Sequence, residues 1–241
     1  KAKALRSARG LQSVSHALRA IAFVLTTPID DGLREERAIF DDIRTGEEAT
    51  ALRHLFFAER NSAKFETDAR PKALTRIGVI GAGAMGSGIA AAALSSGYDV
   101  TLVDPHDAAR ARAQAFVAKE RKGDAPFSLR QDLEAVADCD LIIEAIIEDM
   151  DAKKTLLSQL AKIAPQAILA SNTSYLDLDE MGAALPQPEL LVGLHFFNPA
   201  HRMKLLEVVR GEKTAKDVLA TVMAIGKKIK KTAVVSGVCD G

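Results

Sequence analysis

The sequence predicts an α/β fold: a doubly wound, mostly parallel sheet preceded by a helical connector. Three observations carry this. From Leu74 onward, short apolar runs alternate with helix-length intervals, the pattern of repeated strand–helix–strand units. One run, Ile77-Gly-Val-Ile80, leads at once into Gly81-Ala-Gly-Ala-Met-Gly86, a G-x-G-x-x-G turn that opens an alanine-rich segment. Residues 1 to about 73 show no such alternation and read as helices.

The elements follow in order. Lys3 to Val24 is mostly helix-forming, with basic residues at Lys1, Lys3, Arg6, Arg9 and Arg19, and Thr27 to Gly32 breaks it. Leu33 to Ile43 reads as a second helix, with Ala38, Ile39 and Phe40 apolar. Thr45-Gly-Glu-Glu48 predicts a capping box for a third helix, in which hydroxyl and carboxylate satisfy free N–H groups. That helix carries Ala51, Leu52, Leu55, Phe56 and Phe57; a polar connector with Pro71 then runs from Asn61 to Leu74. The expected strands are Arg76–Ile80, Asp99–Val103, Leu141–Ile143, Ala167–Ala170, Leu190–His195, Lys204–Val209 and Thr232–Val238. Closer spacing late in this series allows an antiparallel edge.

Composition sets outer bounds. The 241 residues suffice for one large domain, or one domain with an appendage. Lys plus Arg number 32 and so do Asp plus Glu, giving zero net charge, which argues against a nucleic-acid partner. Cys139 and Cys239 lie far apart and in no metal-ligand pattern, so neither a metal site nor a disulfide framework is expected, and a reducing compartment is the default. No apolar run is long enough for a transmembrane segment, and no signal peptide is visible. Starting at Lys1 rather than Met, the chain is expected to be a piece of a longer polypeptide.

The glycine turn makes the expected sheet Rossmann-type. Gly81 permits a tight turn, Gly83 lets a pyrophosphate reach the backbone, and Gly86 lets helix and strand pack closely. Ala84 and Met85 lie in the first helical turn, whose free N–H groups and positive dipole favour phosphate. A second strand ends in Asp104, roughly 20 residues on, as the dinucleotide fingerprint expects. A carboxylate there accepts hydrogen bonds from the adenosine ribose hydroxyls and repels a 2′-phosphate. Pro105 and His106 follow, with no Arg directly after the acid, so NAD is preferred over NADP. The plainer reading of Asp104 is a turn former at a strand end.

Ligands of open α/β sheets bind beyond the carboxyl ends of the strands. Three further ends carry polar groups: Glu144 to Glu148, with Lys153 in the next helix; Ser171 to Ser174; and His195. Alone, the first reads equally as a solvated helix start and the second as a helix cap. After His195, Asn198-Pro199 signals a turn, and the run Lys204–Val209 brings Glu207. A hairpin centred near His201 places position 195 opposite 207. An imidazole with an orienting carboxylate is the usual general base near neutral pH, although such a pair also occurs in structural or solvated form.

With these residues in view, the chain resembles the L-3-hydroxyacyl-CoA dehydrogenase family, in the form found in multifunctional fatty-acid β-oxidation enzymes that also carry an enoyl-CoA hydratase/isomerase. The resemblance rests on Ile80–Ala90, Asp140–Glu148, Ala170–Ser174 and Gly193–Pro199 through Leu206–Val209, in family order across residues 74 to 241. Residues 1 to 73 resemble the tail of the hydratase/isomerase portion, through Gly32–Arg37 and Leu55–Arg60. The resemblance implies NAD-dependent oxidation of L-3-hydroxyacyl-CoA to 3-ketoacyl-CoA. It makes His195 the general base, Glu207 its orienting partner, Ser174 a hydrogen-bond partner of the reacting oxygen, and Asn198 a positioner of substrate and cofactor. It also makes Asp104, Glu148 and Lys153 cofactor contacts. It implies an acyl-CoA substrate, and a homodimer or larger β-oxidation complex formed through regions outside this chain. The expected compartment is the bacterial cytosol or, in a eukaryote, the peroxisome.

Two departures from the family pattern shape the alternatives. The segment from Asp104 to Asp140 is short, with room for one helix near Ala108–Glu120, which puts coenzyme A binding in question. The all-helical domain that follows in the family is expected beyond Gly241, so the fragment alone is expected to be weakly active or inactive. The alternatives are an NAD-dependent dehydrogenase of a free hydroxy acid and a non-catalytic NAD-binding module.

Overall fold

The computed structural model describes residues 2–8, 10–62, 64 and 67–239. The amino-terminal region is helical: α1 (Ala2–Ser7), α2 (Gln12–Val24), α3 (Ile29–Thr45) and α4 (Glu47–Ser62). The long first helix expected from Lys3 to Val24 is two helices, separated at Gly10, whose φ of 87° an α-helix cannot contain. The capping box does not form. The Thr45 hydroxyl donates back to the carbonyls of Asp41 and Asp42, and the Glu48 carboxylate accepts from the N–H groups of Gln12 and Ser13, at 2.8 and 3.3 Å. Glu48 therefore satisfies the free amides at the start of α2 rather than those of its own helix. Leu52, Leu55, Phe56 and Phe57 of α4 are all exposed.

The remaining elements alternate. They are β1 (Arg76–Ile80), α5 (Ala84–Leu94), β2 (Asp99–Val103), α6 (Asp107–Glu120), β3 (Phe127–Arg130), β4 (Leu141–Glu144), α7 (Met150–Ile163), β5 (Ile168–Ser171), α8 (Leu178–Gly182), β6 (Leu191–Phe196), β7 (Leu205–Arg210), α9 (Lys216–Lys228) and β8 (Thr232–Gly237). They build one eight-stranded sheet in the order β3-β2-β1-β4-β5-β6-β7-β8. The first six positions are the doubly wound order 3-2-1-4-5-6 and are parallel throughout. β7 reverses against β6, and β8 adds beyond it parallel to β7. The antiparallel pair thus lies inside the sheet, because α9 carries the chain back to start a further strand. β3 had no apolar run to announce it. It is a half-buried edge strand in which Ser128 and Arg130 alternate with Phe127 and Leu129.

Apolar layers cover both faces. On one, Ile89, Ala93 and Leu94 of α5, Ala113 and Val117 of α6, and Val218 and Val222 of α9 pack on the sheet. On the other, Leu156, Leu157 and Leu160 of α7 and Leu178 and Met181 of α8 do so. That is why the central strands are continuous apolar runs rather than alternating ones. The Asp140 carboxylate fastens the entry to β1, accepting from the N–H groups of Thr75 and Arg76, both at 2.8 Å.

The chain divides into two compact units, Lys1–Asn61 and Ser62–Gly241. The connector ahead of β1 belongs to the second, where the Lys72 N–H donates to the Thr221 hydroxyl at 2.9 Å and the Lys72 ammonium pairs with Asp217 at 3.0 Å. No helix among the described residues is long and apolar enough to cross a membrane.

Candidate functional site

Because β1, β2, β4, β5 and β6 run parallel, their carboxyl ends share one rim. The phosphate turn follows β1. Gly81 has a φ of 101°, and a Cβ there would stand 2.7 Å from the Ala145 carbonyl oxygen. Helix α5 begins at Ala84 with no side-chain cap and no acid in its first turn. Its first amides, which have no partner within the helix, are left to an anion. A Cβ added at Gly83 would meet nothing within 4 Å. A cleft of about 430 Å³ opens here, lined by Gly83, Ala84, Ser87, Arg112, Asn198 and His201. Asn198 therefore sits at the phosphate turn as well as three residues beyond His195.

Asp104 stands at the end of β2 and is 9% exposed. One carboxylate oxygen accepts from the Ala82 N–H at 2.8 Å; the other accepts from the His106 N–H at 2.9 Å and lies 3.2 Å from the His106 ring nitrogen. Burial alone would raise this carboxyl's pKa, but the Ala82 and His106 amides and the His106 ring together hold it below the ordinary carboxylate range. The stabilisation it provides is therefore complete above the ordinary carboxylate pKa and fades as pH falls through the lowered one. The residue fastens the phosphate turn to β2, a role its position at a strand end did not announce.

The dyad forms as the hairpin spacing predicts, with His195 and Glu207 directly opposite across β6 and β7. His195 Nδ1 and Glu207 Oε2 are 2.7 Å apart. An ionised carboxylate only accepts, so Nδ1 carries the proton and Nε2 of the neutral ring keeps a lone pair. That lone pair faces the Ser174 hydroxyl at 3.3 Å. The Phe197 ring lies 4.5 Å from the imidazole, centroid to centroid, and limits its rotation. The His195 side chain is 16% exposed, so the ring sits in the wall with one edge open.

Glu148 supports Ser174 from beneath. Its Oε1 accepts from the Thr173 hydroxyl at 2.6 Å and the Ser174 N–H at 2.7 Å. Burial raises its pKa; those two donors and the Lys153 ammonium together lower it more. Lys153, in the first turns of α7, is buried. Its side chain is 0% exposed, and its ammonium lies between both oxygens of Glu144, at 2.8 and 2.9 Å, and Glu148 Oε2 at 3.3 Å. Among the described residues, the structure thus joins Glu207, His195, Ser174, Glu148 and Lys153 in one hydrogen-bonded series, with Asn198 and Asp104 on the same rim. Glu144, Ser171, Asn172 and Thr173 fall within the polar strand ends read from the sequence but carry no individual role there; Asn172 Oδ1 accepts from the Phe196 N–H at 2.9 Å and ties β6 to this loop. A signal for Glu144 was present: an acid closing an otherwise apolar buried run, Leu141-Ile-Ile-Glu144.

The 3-hydroxyacyl-CoA dehydrogenase, NAD binding domain family matches residues 76–239. The chain belongs to this family. NAD is its cofactor, and the uncapped α5 amides together with the open space at Gly83 fit a pyrophosphate. The domain is similar to the peroxisomal fatty acid beta-oxidation multifunctional protein MFP2 of Arabidopsis thaliana, at 36% identity over 100% of this chain and 36% of that protein. It is also similar to the crystal structure of the dehydrogenase part of multifunctional enzyme 1 from C. elegans. That match has 29% identity and a TM-score of 0.69, covering 76% of this chain and 48% of that one. A third similarity is to an NAD+-dependent dismutase, 5-formyl-3-hydroxy-2-methylpyridine 4-carboxylic acid 5-dehydrogenase. There the identity is 29% and the TM-score 0.67, over 70% of this chain and 60% of that one. The chain spans about a third of the length of the curated relatives it matches.

Proposed function

We propose that this chain is the cofactor-binding and proton-handling part of an NAD-dependent dehydrogenase that oxidises L-3-hydroxyacyl-CoA to 3-ketoacyl-CoA in fatty-acid β-oxidation. The observation that carries the reading is the series Glu207–His195–Ser174, standing on the rim that also bears the phosphate turn. His195 Nε2 takes the proton of the substrate 3-hydroxyl. Glu207 keeps the ring in the tautomer that leaves Nε2 free and then stabilises the imidazolium. The Ser174 hydroxyl, already aligned with Nε2, holds the substrate oxygen beside it. Bound NAD supplies the acceptor for the hydride that leaves C3. Asn198, which lines the phosphate-turn cleft three residues beyond His195, positions both reactants. Asp104 receives the adenosine ribose, and Glu148 with Lys153 sets the floor of the site. The names of the relatives support a peroxisomal setting in a eukaryote; in a bacterium the setting is the cytosol.

The test compares acetoacetyl-CoA with acetoacetate as oxidants of NADH, using the complete polypeptide. The thioester is the expected substrate. The short segment from Asp104 to Asp140 favours the free hydroxy acid as the second reading, and preference for acetoacetate would establish that one instead. NADH binding without turnover of either compound would leave a binding module.

Cofactor choice rests on Asp104. Asparagine is the informative substitution, because its carbonyl oxygen can still accept from Ala82. Asp104→Asn should narrow the gap between NADPH and NADH dissociation constants about tenfold, the effect of removing one unfavourable charge contact of about 1.4 kcal/mol. An unchanged ratio would show that something other than this charge selects NAD.

A further inference from the structure

The charges beneath the dyad form a closed construction with a single outlet. β4 is apolar and buried until Glu144, which is itself 0% exposed. A carboxylate there is unfavourable unless its oxygens are fully engaged, and they are: two contacts from Lys153, one from the Ser171 hydroxyl and one from the Ile146 N–H at 3.2 Å. The three protons of the Lys153 ammonium are matched by three acceptors, two on Glu144 and one on Glu148. Of these groups Glu148 alone is partly open, at 28% of its side chain. Its second oxygen carries Thr173 and Ser174. Thr173 in turn accepts from the Leu176 N–H at 2.9 Å.

We propose that Glu144 is a positioning residue: through Lys153 and Glu148 it fixes the turn at residues 173 and 174, and so holds the Ser174 hydroxyl on His195 Nε2. The proposal rests on the dehydrogenase reading above. Ser174 is exposed, and among the described residues its hydroxyl has no hydrogen-bond partner besides His195, so it stays on Nε2 only while its backbone is held. Glu148 holds that backbone, and Glu148 is itself held from inside by an ammonium that Glu144 locates. Stability alone does not call for this arrangement, since well-packed apolar residues commonly replace buried ion pairs without loss. Reaction geometry does call for it, since a misplacement of about 1 Å at a reacting group costs about 10²-fold in rate.

Glu144→Gln tests this. The new amide NH2 cannot accept from the ammonium, so donor meets donor and the support of Glu148 loosens. In the complete polypeptide, kcat should fall about 10- to 100-fold while the NADH dissociation constant stays within about twofold. The nitrogen resonance of His195 Nε2 should move as its hydroxyl partner leaves. Because a buried Lys153 left with Glu148 as its one carboxylate can prevent folding, Glu144→Gln/Lys153→Met is made alongside; it removes both fully buried charges and should fold, yet show the same slow turnover and the same displaced resonance. Folded variants with the parent kcat and an unmoved His195 resonance would overturn the proposal, as would loss of thermal stability alone. Failure of the dehydrogenase reading looks different: the unsubstituted polypeptide turns over no acyl-CoA, while the resonance still reports whether Glu144 acts on the dyad.

Discussion

His195→Ala should lower hydride transfer by about 10²- to 10⁴-fold, the usual contribution of a positioned general base, and leave NADH binding within about twofold of the parent. The separation follows from where the groups stand. The imidazole touches Glu207, Ser174 and Phe197, and none of these belongs to the phosphate turn or to the Asp104 contacts. Stability should suffer little, because the Glu207 side chain is 39% exposed and can take water in place of the ring. Single-turnover kinetics give the first quantity and calorimetry the second. Equal losses in both would show that His195 holds the fold rather than the proton.

Gly83→Val should weaken NADH binding about 100-fold while leaving the melting temperature unchanged, since two lost charge-assisted bonds of about 1.5 kcal/mol each suffice for that factor. The three motif glycines are not equivalent. A Cβ at Gly86 would lie 1.8 Å from the Gly81 carbonyl oxygen, so that position is reserved for the backbone of its own turn. At Gly83 a Cβ, the first of the atoms valine adds, meets nothing within 4 Å. The space they would fill is the space a pyrophosphate needs. Gly86→Ala therefore makes a useful contrast: it should cost stability and binding together. Retained affinity in Gly83→Val would remove the phosphate turn from the cofactor site.

How much of this was legible beforehand depends on where the decisive partner lies. β1 and β2 have the boundaries their apolar runs announce: Ile77 to Ile80 are buried throughout, and in β2 Val100, Leu102 and Val103 are buried while Asp99 and Thr101 are half-buried. The His195–Glu207 register was legible because hairpin pairing is symmetric about its turn and both residues lie on one short segment. β3 was not, because an edge strand with a polar face carries no apolar run. Thr45 and Glu48 showed that a motif names groups able to pair without naming their partners; Glu48 found α2 instead. The resemblance makes Lys153 a cofactor contact, and the plainer reading makes it part of a solvated helix start; neither reading names the carboxylates that enclose its ammonium. Its actual surroundings depend on Glu144, which only the docking of α7 on β4 brings beneath it.

The reversal between β6 and β7 imposes an arithmetic on the dyad. Paired positions 193 with 209, 194 with 208, 195 with 207 and 196 with 206 all share one sum. Strand side chains alternate between faces, so a register slip of one residue would send the Glu207 carboxylate to the opposite side of the sheet from the imidazole. A slip of two would restore the face but move the carboxylate one step along the strand. The turn from Phe197 to Lys204 is thus a counted spacer: its length in residues, more than its composition, decides whether acid and base can meet.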